Sequence, residues 1–193
     1  MSKRTNILLF ILCLTGIAKA QTADAVYDQY LDFNLKRLEG NTAAALALGE
    51  NILPNVGKLA GKSQISFYNS LAKLYDDDNQ SVEAIPLYEK VAAAQPDYYV
   101  VHRALGYLYL KPTDELYAKL QLSPGDKEIE MQYKTAVTKA LPHLEKAQAC
   151  DPSDETLALI KTLYTNLKDK KALDTLTGRL ALLAEKCIDI LTE

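Results

Sequence analysis

Two histidines, His102 and His143, two cysteines in the body of the chain, Cys150 and Cys187, and the acidic run Asp76-Asp77-Asp78 are the residues whose types carry chemistry here. A histidine acting as general base needs a nucleophile within hydrogen-bond reach. Neither imidazole stands in a serine elbow, in a zinc signature or beside a glycine-rich phosphate loop. The adjacent carboxylates of 76–78 lack the alternate spacing and the later glutamate with which a loop wraps calcium, so with Asn79 they read as a solvated turn between helices. No carboxylate pair stands out for acid–base work. The expectation is a chain that is not an enzyme, with no cofactor and no metal.

The cysteines stand 37 residues apart. Each sits in an amphipathic pattern where a small buried hydrophobe would serve equally well, and a bridge requires α-carbons within about 7 Å. Pairing is left open by the sequence.

The compartment is read from the first residues. Lys3 and Arg4 precede the apolar stretch Ile7–Leu14, and Ala18-Lys19-Ala20 offers small residues before Gln21. That order predicts a signal peptide over residues 1–20, cleaved after Ala20, and hence an exported protein, periplasmic or secreted. The apolar segment is too short for a spanning helix, which needs roughly 20 residues, and Cys13 follows large residues rather than the small one a lipid anchor wants. Removal of the three cations Lys3, Arg4 and Lys19 takes the formal net charge from −3 to −6. An acidic chain without a basic patch or basic amphipathic helix has no electrostatic footprint for nucleic acid or anionic lipid. No nucleic-acid partner and no stable membrane insertion after cleavage are expected.

The elements that position these residues come from an internal repeat. Ala84-Ile85-Pro86-Leu87-Tyr88-Glu89-Lys90-Val91 with Pro96 aligns without gaps on Ala140-Leu141-Pro142-His143-Leu144-Glu145-Lys146-Ala147 with Pro152, an offset of 56 positions. Before each copy runs a helical pattern, Tyr68–Tyr75 and His102–Tyr109, with large apolar residues three and four apart. Residues 65–98 resemble a tetratricopeptide repeat: Tyr68, Leu71, Ala72 and Tyr75 on a first helix, Ala84, Tyr88 and Val91 on a second, Pro96 closing the unit. The family's period of ~34 residues fits this unit. The next, 99–153, carries His102 at a packing position and is 22 residues longer. The excess reads as an insertion over 110–127, two turn-rich stretches around a short helix from Glu115 to Leu120. A terminal pair over 154–191 puts a last helix at Lys170–Ile190. A weaker pair over 23–59, turning at Glu39-Gly40-Asn41, has its second helix interrupted by Pro54.

The fold class implied is all-α: a right-handed α-solenoid of antiparallel helix pairs, tetratricopeptide-like, with three to four units in residues 21–193 and an insertion in one. Each pair exposes an apolar stripe that its neighbour must cover. Pro86 and Pro142, equivalent in two helices, are given no binding role.

The resemblance also implies a site. In that family ligands lie along a concave face of first-helix residues, which places Asn69, Lys73, Asp76, Arg103, Tyr107, Leu110, Ala158, Thr162 and Thr165 there. Lys73 and Arg103 would offer cations to a carboxylate. Glu155, Leu159 and Ala104 stand where a chaperone-tail clamp wants other side chains, so that ligand is not expected. The insertion, which the repeat does not need, supplies Tyr117 with Leu116 and Leu120 as a docking element. The partner-binding residues expected are therefore Asn69, Lys73, Arg103, Tyr107 and Tyr117. The function expected is a non-enzymatic module that holds a partner protein or peptide, the alternatives being a permanent subunit of an envelope assembly and, third, a peptide- or glycan-processing enzyme.

Overall fold

The computed structural model describes residues 21–191, so the expected signal peptide lies outside the described residues. These are helical nearly throughout. Helix α1, Ala23–Leu38, starts where the Thr22 hydroxyl accepts the Ala25 N–H, with Asp24 in its first turn and Lys36 and Arg37 in its last. Both charge placements favour the helix dipole. Gly40, at φ +71°, makes the left-handed reversal, and the Asn41 side chain caps α2, Thr42–Ile52. The expectation of one interrupted helix over 42–59 is refined: Pro54 ends the α-helical pattern, and the chain continues as a 3₁₀ helix, Leu53–Lys58.

Helix α3, Gly61–Asp77, and α4, Ser81–Ala94, pack together across the turn at Asp78–Gln80, where Asn79 takes φ +60°. Leu71, Ala72, Tyr75, Ala84, Tyr88 and Val91 are all buried there. Pro86 in α4 and Pro142 lie on exposed helix faces, where a carbonyl freed of its amide partner meets water.

Helix α5 spans Tyr99–Leu110, α6 Thr113–Leu122 and α7 Lys127–Cys150. The stretch expected as an insertion is thus more than a loop with a short helix. Its excess residues form α6 and lengthen α7 by about ten residues at its start, beyond the part equivalent to α4, and α6 lies against that extension. Gly106 lets α5 approach α7: a Cβ there would sit 2.7 Å from Leu144 Cδ2.

Helix α8, Asp154–Asn166, and α9, Lys170–Leu183, pack on α7 and on each other. One core cluster joins α1 to α5 and a second joins α7 to α9, with Tyr109 against both. Within the second, Glu145 is buried, held by Arg179 (Nε to Oε2, 2.9 Å) and by the Tyr164 hydroxyl.

The last helix corrects the sequence expectation, since it stops at Leu183 and not at Ile190. The buried Lys146 ammonium donates to the carbonyls of Leu183 and Lys186, and Cys187 is joined to Cys150 at the end of α7 by a disulfide, α-carbons 5.6 Å apart. Those attachments draw residues 184–191 off the helix axis and back across the α4–α5 junction, where Ile188 makes an isolated parallel bridge with Tyr98. Among the described residues there is no other pairing of this kind, and no helix is long and apolar enough to cross a membrane.

Candidate functional site

Side chains from α5, α6, α7 and α8 enclose a cleft of about 540 Å³. Tyr107 and Leu110 come from α5, Thr113, Asp114 and Tyr117 from α6, Tyr133 from α7, and Leu159, Thr162 and Asn166 from α8. A second concavity of about 460 Å³ adjoins it, sharing Tyr117, Tyr133 and Asn166 and adding Gln121, Glu130, Lys134, Thr165 and Lys168. Volumes of this order suit several side chains of a peptide or a small organic ligand.

The wall is built from the inside out. Tyr133 is buried, its hydroxyl accepting from Asn166 Nδ2 at 3.0 Å, and burial raises its pKa. Tyr117 rests its ring on Tyr133 with centroids 5.7 Å apart yet stays 40% exposed. Across the cleft Tyr107 is 44% exposed, and its hydroxyl meets Thr156 Oγ1 at 3.0 Å. Leu116 and Leu120 pack against the second core cluster and so anchor α6, and neither lines the cleft itself. The arrangement presents two half-exposed aromatic rings, each with a polar tip, over a floor of leucine, threonine and asparagine. Such rings bring large apolar area at low entropic cost.

Of the expected partner-binding residues, Tyr107 and Tyr117 come together here, with Leu110 and Thr162. Asn69, Lys73 and Arg103 do not line the cleft. Asn69 is hydrogen-bonded to the buried Tyr98. Lys73 pairs with Asp77 on its own helix at 2.9 Å, and Arg103 reaches Asp151 Oδ2 at 2.6 Å. Both cations expected to receive a carboxylate from outside thus have one within the chain. Asp76 meets Lys111 at the end of α5 at 3.1 Å and Asp78 accepts from Gln80 in the turn, so each carboxylate of the acidic run has a partner within the chain. Among the described residues no group of three or more histidine, cysteine or carboxylate side chains could hold a metal.

Sequence reasoning missed Tyr133 and Asn166. Tyr133 falls in the α7 extension, and its spacing to Val137 and Leu141 was the available signal, a stripe at every fourth residue that continues upstream of the aligned repeat.

The histidines lie in the α5–α7 interface, Nδ1 to Nδ1 at 2.9 Å, so one donates and the other accepts. Burial, then the His143 charge, takes His102 down to about 4, and burial lowers His143 too. On its other side His143 faces Tyr109, ring centroids 5.8 Å apart, whose hydroxyl donates to Glu89. They are a neutral packed pair near pH 7.

On the far side of α6 a groove of about 550 Å³ is mainly apolar, lined by Val82, Ile85, Leu108, Leu116 and Met131 among others, with Val82 83% and Met131 62% exposed. Comparison of the chain with protein-family models, curated proteins and solved structures returned no match.

Proposed function

We propose that this is an exported, non-enzymatic binding module, a tetratricopeptide-like solenoid that holds a segment of a partner protein in the cleft between its repeat helices and its insertion. The observation that carries the reading is the convergence of Tyr107, from a repeat helix, and Tyr117, from the inserted helix, on one cleft. An insertion that the repeat does not require supplies half of the cleft wall. Half-exposed tyrosines supported by buried neighbours are typical anchors for a peptide. With Lys73 and Arg103 paired internally, recognition rests on apolar and neutral hydrogen-bonding contacts rather than on a terminal carboxylate.

The test is in-cell photo-crosslinking with a benzophenone amino acid at position 117 and, separately, at position 73, followed by mass spectrometry. The expected result is one envelope protein captured from position 117 and lost when Tyr107→Ala is added. Failure to capture any protein from position 117, with the variant folded, overturns the reading. A permanent-subunit alternative is favoured by the exposed apolar groove at Val82 and Met131. It predicts that the purified chain self-associates, whereas a transient adaptor is monomeric in sedimentation.

A further inference from the structure

The carboxy-terminal residues form a strap whose attachments have a chemical logic separate from the cleft. Helix α5 begins with no side-chain cap. The first amide of that helix, Tyr99 N–H, instead donates to the Ile188 carbonyl at 3.1 Å, while Ile188 N–H donates to the Asp97 carbonyl at 2.7 Å. An extended backbone therefore satisfies both a helix-start donor and a loop acceptor, as an added strand would. Beyond it Ile190 and Leu191 close a small cavity of about 240 Å³ against Gly61, Ile65 and Gln95. Residues 184–190 are themselves exposed. Besides those two hydrogen bonds and the contacts of its end, the strap is held by Lys146 and by the disulfide, whose Cys187 is open to solvent.

We propose that residues 184–191 are a disulfide-latched strap occupying a docking edge for an extended apolar segment, formed by Asp97–Tyr99 and the start of α3. With Cys150 and Cys187 oxidised the chain fills its own edge. A protein dithiol attacks the sulfur of the exposed residue Cys187, forms a mixed disulfide and resolves it with its second thiol. Two electrons and two protons pass to Cys150 and Cys187, and the reductant leaves as its disulfide. The freed strap then exchanges with segments of like pattern, apolar residues alternating as Ile188 and Ile190 do.

Hydrogen exchange on the full chain before and after reduction by dithiothreitol tests this, with Cys187→Ser as a reductant-free equivalent. Expected is a rise of tenfold or more in exchange at Tyr99 and Ile188 in both reduced and variant protein, with the α7 amides around Leu144 unchanged. A synthetic peptide of residues 184–191 with serine at 187 should bind the reduced chain and not the oxidised one. Unchanged protection at Tyr99 and Ile188 would show that the strap stays seated without the bond and sink the proposal. Loss of helicity across α7–α9 would also overturn it, making the disulfide a staple of the fold. So would faster exchange without peptide binding, because the edge would then be no docking site. None of these outcomes bears on capture from position 117.

Discussion

Replacing Gly106 with alanine isolates the close approach of α5 to α7. The added Cβ would lie 2.7 Å from Leu144 Cδ2, 2.8 Å from its Cγ and 3.2 Å from its backbone nitrogen. Favourable carbon contacts begin at about 3.5 Å. The Cδ2 atom can swing, but Leu144 is fully buried, and its Cγ and backbone can yield only if α7 shifts. Overpacking of this kind costs about 1–3 kcal/mol, against about 1 kcal/mol gained by alanine over glycine in a helix. The two contacts that cannot swing away place the net at about 1–2 kcal/mol of destabilisation. In a chain of this size that lowers the Tm by about 2–8 °C. Gly178 in α9 is the control, for a Cβ there meets nothing within 4 Å. Gly178→Ala should raise the Tm by about 2–4 °C on propensity alone. Thermal melts followed by far-UV circular dichroism give both values. A Gly106→Ala protein as stable as the parent, beside a stabilised Gly178→Ala, would refute the inferred contact.

Acid should destabilise the fold through the histidine pair. His102 and His143 have folded pKa values below their ordinary value of 6.5, so their contribution is present above pH 6.5 and is lost as pH falls towards about 4. Lys146 and Asp97 act on His102, and Glu89 on His143. His102→Gln with His143→Gln should flatten the Tm between those limits, and an equally steep profile in the double variant would remove the histidines as its cause. Arg179→Ala leaves the buried Glu145 carboxylate with only Tyr164, and should cost about 3 kcal/mol in urea unfolding; a loss under ~1 kcal/mol would mean that water reaches Glu145. Tyr117→Ala should weaken binding of the captured partner at least tenfold while leaving the Tm within a few degrees, whereas unchanged affinity would place the contact elsewhere.

The helix pairs were legible because their burial is periodic: Leu71, Ala72, Tyr75, Ala84, Tyr88 and Val91 announce one face in the sequence and are buried in the structure. The end of the last helix was not. Cys187 and Ile190 follow Leu183 at four and three residues, which is helical spacing, and only partners distant in sequence, Lys146 and Cys150, pull them away. The candidate site was half legible for the same reason. Tyr107 and Tyr117 follow from position, but the pairing of Arg103 with Asp151, 48 residues away, and the support of Tyr117 by Tyr133 depend on how the α7 extension packs.

The joining of Cys150 to Cys187 has a mechanical consequence. Pulled between its ends, the oxidised chain cannot release the residues between the two cysteines, which would otherwise pay out about 130 Å of contour at ~3.5 Å per residue. Helices α8 and α9 lie wholly inside that closed loop and are shielded from tension, while α1 to α7 precede it and carry the load. Under tension, the oxidised chain would lengthen from the residues ahead of Cys150 and leave α8 and α9 folded until a reductant opened the loop.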